Sequence, residues 1–140
     1  MAGLDAFGIA LKRSDMATPT PAFTAIGNVT NVSGPEIERE TYDVTAHDSL
    51  DGWREFIGGL KDGGEVSIEV NYDPRKHDSL VADFEDAVPR DYKLTFPDGL
   101  GEWALKLILT GFSQEAPVDD KLAAEMTFKV SGKPTITQGV

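Results

Sequence analysis

Histidine has more catalytic uses than most side chains. This chain has two, His47 and His77, each followed by an aspartate, Asp48 and Asp78. Such pairs can belong to a metal site or a hydrolase, but either needs a third ligand or a nucleophile at a defined spacing, and none is visible. Triad members need not be neighbours in sequence, so spacing alone leaves a Ser-His-Asp arrangement open. The Gly-x-Ser-x-Gly elbow, however, is absent, and surface histidines are the reading the pattern favours. Gly99-Leu100-Gly101 leads into a strand-like segment and not a helix, so it is no dinucleotide fingerprint. Trp53 and Trp103 would suit a ligand platform, yet both sit in apolar patterns that suit core packing better. Carboxylates are abundant, but the D-x-D-x-D-G spacing of a calcium loop is missing. The residues therefore predict no enzyme, no cofactor and no metal.

The carboxylates are unevenly placed. Residues 36–65 hold nine acids against three bases (Arg39, Arg54, Lys61), which is −6 of a formal net charge of −11. Within them Glu36, Glu38 and Glu40 alternate with Ile37, Arg39 and Thr41, which puts three carboxylates on one face of an extended segment. An unpaired buried charge is prohibitively costly, so that face must meet water, either as an ordinary solvated face or as an acidic wall. Glu65 and Glu69 alternate in the same way on the next strand. The acidic balance disfavours wrapping around nucleic acid.

These residues need a scaffold. One hundred and forty residues without cysteine suit one domain that buries roughly 68% of its unfolded surface. No apolar run approaches the ~18–20 residues of a membrane helix, and the N-terminus lacks the charge order of a signal peptide. Residues 1–25, ending in Thr18-Pro19-Thr20-Pro21, read as an arm that docks on its own domain or on a neighbour. Ala25 to Tyr42 reads as two extended pieces. Trp53, Phe56, Ile57 and Leu60 recur at i, i+3, i+4 and i+7 and predict a short helical turn inside a long polar loop, 43–64. Loops of this length in compact domains are usually functional. Val66, Ile68, Val70 and Tyr72 predict a strand. Asp73-Pro74 opens a helix to about Val88, with Asp83, Glu85 and Asp86 on its outer side. Alternation predicts three more strands, at 92–96, 103–110 and 122–130, and a fraying tail from Ser131. The fold class is mainly β: an antiparallel sandwich or barrel with one flanking α-helix.

Several segments together resemble the tail tube proteins (major tail proteins) of lambda-type phages with long non-contractile tails. They are Ile-Gly-Asn-Val-Thr-Asn-Val-Ser-Gly-Pro (26–35), Arg-Glu-Thr-Tyr-Asp-Val-Thr (39–45), Asp-Ser-Leu-Asp-Gly-Trp-Arg-Glu-Phe-Ile-Gly-Gly-Leu-Lys-Asp-Gly-Gly-Glu-Val (48–66), Thr-Phe-Pro-Asp-Gly (95–99), Ala-Pro-Val-Asp-Asp-Lys-Leu (116–122) and Val-Ser-Gly-Lys-Pro-Thr-Ile-Thr (130–137). The resemblance runs from about Phe23 to Thr137.

The resemblance implies the β-sandwich shared with contractile-tail tubes and type VI secretion rings, with an arm at 1–25, the β domain at 26–137 and a tail at 138–140. It implies a structural virion protein, assembled in the host cytoplasm, whose copies form stacked hexameric rings. Its partners would be itself, a tape-measure protein, and tail terminator and tail-tip proteins. DNA would pass without tight binding, and no membrane is involved. The C-terminal immunoglobulin-like domain of some relatives is not expected. A ring-forming secretion-machine tube or effector carrier of the same fold is the alternative, and an unrelated small acidic binding domain or enzyme a third. Glu36, Glu38, Glu40, Glu65 and Glu69 are the lumen candidates. Asp43, Asp48, Asp51, Trp53, Arg54, Phe56, Ile57 and Leu60 are the candidates for an inter-subunit loop.

Overall fold

The computed structural model describes residues 7–16 and 20–138. In chain order the strands are β1 (Ala10–Ser14), β2 (Phe23–Ala25), β3 (Val29–Ser33), β4 (Glu38–Asp43), β5 (Phe56–Asp62) and β6 (Glu65–Asn71). After them come the helix α1 (Pro74–Val81), a 3-10 turn at Ala82–Glu85, and the strands β7 (Arg90–Thr95), β8 (Gly101–Glu115), β9 (Ala123–Val130) and β10 (Thr135–Gln138). The main sheet is antiparallel throughout, in the order β2-β1-β7-β8-β9-β6-β3; β10 also pairs with β8, and β4 and β5 form a separate two-stranded ribbon.

Period-two alternation builds the core. Val66, Ile68 and Val70 of β6, Leu105, Leu107 and Leu109 of β8, and Met126, Phe128 and Val130 of β9 all point inward and are buried. Each such side chain contributes about 1.5–3 kcal/mol of transfer free energy. β8 bends at a bulge between Leu109 and Gly111, where an extra residue raises the local twist. Tyr92 and Phe128, on strands flanking β8 from opposite edges, meet at 5.3 Å between ring centroids. The sheet thus curls over its own core, and Leu80 of α1 helps close the opening.

α1 begins as its sequence predicts: the Asp73 carboxylate accepts from the Arg75 N–H, and Pro74 takes the first turn. It stops at Val81, short of the predicted Val88. The reason is Asp83, which faces inward and not outward as predicted. Its carboxylate accepts from Arg13 Nε and Nη2 at 2.6 Å each and from the Tyr92 hydroxyl at 3.3 Å. Arg90 approaches it at 3.6 Å while pairing with Asp86 at 3.0 Å. Burying Asp83 leaves Phe84 and Val88 exposed. His77 is likewise no surface histidine. It is fully buried, accepts the Asp73 N–H at Nδ1 and contacts the Gly27 carbonyl through Nε2 at 2.8 Å. That geometry assigns the ring proton to Nε2 and fastens α1 to the chain before β3.

Three further expectations differ. The helical turn at 53–60 is absent: the segment enters β5, paired with β4. The i, i+3, i+4, i+7 pattern signals a helix only when a core covers that face, and none does. The tail after Ser131 includes β10, whose Thr135–Gln138 pairs with Gly101–Ala104. Of the segment read as an arm, residues 10–14 and 23–25 are strands of the main sheet, and Leu11 is fully buried. Residues 1–6, 17–19 and 139–140 lie outside the described residues.

Candidate functional site

The β4–β5 ribbon continues the β3–β6 pair beyond a double-glycine junction. Gly34 (φ +96) abuts the Glu65 carbonyl, and Gly64 (φ +74) abuts that of Glu36. Both are left-handed positions against backbone, where a Cβ has no room. Asp62 pins the junction. Its carboxylate accepts from the Gly64 N–H at 2.8 Å and from Lys129 at 3.2 Å, and those contacts, the backbone one first, hold it below the usual aspartate range. Gly58 and Gly59 lie under the Arg39 guanidinium and the Tyr42 ring, so side chains of β4 lie across β5 where any Cβ would collide.

Polar bonds of its own shape the ribbon's tip. The Thr45 N–H donates to Asp43 at 2.9 Å, the Glu55 N–H to Thr45 Oγ1 at 2.8 Å, and the Ser49 hydroxyl to Glu55 at 2.8 Å. Arg54 pairs with Asp43 at 3.2 Å. Hydrogen bonds from Thr45, then Arg54, lower the Asp43 pKa. Leu50–Gly52 forms a 3-10 turn with Asp51 at φ +55, and Asp48 is exposed beside it. With its polar groups bonded internally, the ribbon leaves its large apolar side chains outside: Leu50 is 78% exposed, Trp53 74%, Phe56 56%, Ile57 55% and Leu60 77%. Trp53 is therefore not a core residue, whereas Trp103 packs at the core's margin. Ile37, Tyr42 and Val44 join the exposed set. The sequence alone did not single them out, since Tyr42 and Val44 stand among polar residues on either side of Asp43.

The five lumen candidates are all exposed but do not form one wall. Glu36 sits in the connector, Glu38 faces Asp62 across the ribbon, and Glu40 accepts from the Tyr42 hydroxyl at 3.1 Å. Glu65 and Glu69 lie on the outer face of β6, Glu65 opposite Lys129 and Glu69 opposite Glu125. Glu125 escaped the sequence reading. Alternation along β9 turns it outward, but only the register reveals that it faces another carboxylate. Like charges directly opposite are destabilising, so this outer face and the ribbon's Glu38–Asp62 pair both concentrate negative charge at a cost. His47 is exposed at the tip. Among the described residues no cluster of three metal-ligating side chains occurs, and no helix is long and apolar enough to cross a membrane.

A family model described as "Lambda phage tail tube protein, TTP" matches residues 13–137. No curated protein sequence matches. Among solved structures, a chain from the virion of a native gene transfer agent (GTA) particle is 19% identical with a TM-score of 0.78, covering 96% of this chain and 99% of that one. A chain from the tail of an empty GTA particle, refined with C6 symmetry, gives 19% and 0.79 at the same coverage. A chain from the sheath/tube terminator of an extracellular contractile injection system in its extended state gives 12% and 0.70, covering 97% of each. At these identities the structural likeness speaks for the fold, and the family match speaks for more.

Proposed function

The chain belongs to the lambda phage tail tube protein family, and from that premise we propose that its copies close into hexameric rings which stack into the conduit for DNA ejection. The chain is a structural protein of the phage tail tube, a virion component with the tube fold. The ring count rests on analogy with the C6 tail of the GTA particle.

The observation that carries the reading is the β4–β5 ribbon. A subunit that fixes a projecting arm with internal hydrogen bonds, then leaves five large apolar side chains more than half exposed on it, has built a contact for other copies. Such a patch rimmed by polar residues marks an interface. On this reading Trp53, Phe56, Ile57 and Leu60 anchor the contact, and Asp43, Asp48, Asp51 and Arg54 shape and flank it.

The acidic faces fit a bore. Six copies would carry 66 net negative charges at eleven each. Glu69 and Glu125, with Glu65, the connector's Glu36 and the ribbon's Glu38 and Glu40, would repel phosphates. At physiological salt the screening length is ~8 Å, so the wall acts on DNA only at close range and the duplex slides without binding. A tape-measure protein would fill the bore before DNA does, and terminator and tip proteins would cap the ends.

A second reading, a secretion-machine tube or effector carrier, draws support from the fold's likeness to a contractile injection system component. Electron microscopy of the purified chain tests both. Stacked tubes support the tail role and isolated rings the carrier. Monomers at high concentration would overturn both.

A further inference from the structure

A cleft of about 460 Å³ opens at the base of the ribbon, lined by Ile37, Gly63, Gly132, Pro134 and Ile136 with Lys61, Asp62 and Lys133 at its edges. Its lining is largely apolar because two positions are glycines and two are isoleucines more than half exposed. Gly63 has no room for a side chain, since a Cβ there would strike Val130. The charge at the rim is the reverse of the chain's. Asp62 is already engaged by Lys129 and the Gly64 N–H. Lys61 and Lys133 have no ion-pair partner among the described residues, so the rim presents two free cations on a chain of net charge −11.

We infer that this cleft is the seat for the β4–β5 tip of a second copy, with Leu50 and Trp53 entering the apolar lining and the tip's carboxylates meeting Lys61 and Lys133. The inference rests on the tube reading and adds the address to which the arm is delivered. Two arguments select this occupant. The first is complementarity. Residues 43–55 carry four acids (Asp43, Asp48, Asp51, Glu55) against one base, Arg54, and also the two tip side chains of highest exposure, Leu50 and Trp53.

The second argument is reach. Cleft and tip lie at opposite ends of one ribbon, β4 being six residues long, and a strand rises about 3.3 Å per residue. The tip therefore stands roughly 20 Å from its own cleft and cannot enter it without breaking the ladder. The occupant must come from another molecule. Each subunit then donates one tip and accepts one. Passed head to tail the contact is heterologous and repetition yields rings or stacks, whereas reciprocal exchange would close a two-fold dimer; a cross-linked ladder beyond the dimer tells the first from the second.

The chain has no cysteine, so a pair of introduced thiols is read without background. Leu50→Cys combined with Ile136→Cys keeps Trp53 in place and alters two exposed positions. On mild oxidation of assembled protein, a non-reducing gel should show a ladder of covalent multimers. Leu50→Cys with Ser113→Cys, on the outer face of β8, should not. As an independent readout, Lys133→Glu should raise the critical concentration for assembly about threefold, the scale of an exposed ion pair. Adding Asp51→Lys should restore it. Tubes by microscopy with no 50–136 ladder and no charge-swap rescue would overturn the seat and leave the tube role intact. Failure to assemble at any concentration would overturn both.

Discussion

Removing the Asp83 carboxylate is the sharpest test of how the subunit holds itself together. Its side chain is 6% exposed and bridges Arg13 (24% exposed) and Arg90 (16% exposed). The same oxygen atoms receive the Tyr92 hydroxyl, whose phenol stays protonated because burial, then the Asp83 charge, raises its pKa. Asp83→Ala leaves two guanidinium groups facing a void. Breaking a buried pair by deleting one partner costs ~3–5 kcal/mol. Arg13 keeps a quarter of its surface in water and Arg90 retains Asp86 at 3.0 Å, so the low end, about 3 kcal/mol, is expected. With a urea slope of about 1.5–2 kcal/mol/M, the unfolding midpoint should fall by roughly 1.5–2 M. Glu85→Ala, on the exposed side of the same turn, should stay within about 0.5 kcal/mol. A double-mutant cycle of Asp83→Ala with Arg13→Met should show strong coupling, whereas Asp43 with Arg54 on the surface should give under about 1 kcal/mol. A midpoint shift for Asp83→Ala no larger than for Glu85→Ala would refute the claim that this carboxylate organises the region.

Trp53→Ala should leave the unfolding free energy from urea titration within about 0.5 kcal/mol of wild type because the ring is 74% exposed, while tube formation by microscopy is lost; a normal tube would sink the anchor role. Glu69→Gln removes one member of the Glu69–Glu125 pair and should raise stability by ~0.2–1 kcal/mol in thermal unfolding. Glu69→Lys in an assembled tail should slow DNA ejection, more so at low salt; unchanged rates at both salts would count against an acidic bore. Asp43 and Asp62 have folded pKa values below the ordinary 3.8, so their contribution to ribbon order is complete above that value and fades as pH falls through the folded values. Hydrogen exchange of the 43–64 amides should thus be protected equally at pH 7 and pH 5, and loss of ribbon protection between those values would contradict the assignment.

What the sequence disclosed follows a physical line. Period-two alternation located β6, β7, β8 and β9 because their inward faces share one core. Asp73-Pro74 located the start of α1 because capping is local. Long-range polar contacts were not legible: nothing near Asp83 in sequence announces Arg13, seventy residues away, or that the carboxylate would displace Phe84 from the core. His77 was misplaced for the same reason, its partner Gly27 lying fifty residues upstream. The ribbon misled differently. Apolar spacing in 53–60 fits a helix only if that face is buried, and here it is exposed. The lumen candidates were visible as charges, but which strands oppose them, and so the Glu69–Glu125 pair, required the register.

The two kinds of ladder form at different moments of synthesis. β4 and β5 close on each other within one short stretch, Glu38 to Asp62, whereas β1 pairs with a strand some eighty residues later, Arg13 facing Tyr92. At roughly 5–20 residues per second on the ribosome, β1 waits about 4–16 seconds for its partner, while the ribbon is ready long before any core exists. Neighbouring nascent chains on one message would then display sticky arms before they own clefts to receive them. The net excess of six negative charges in residues 36–65 keeps those arms apart, a repulsion that matters most while the chains are unfolded. Neutralising it should bring aggregation during expression even where the purified subunit remains stable.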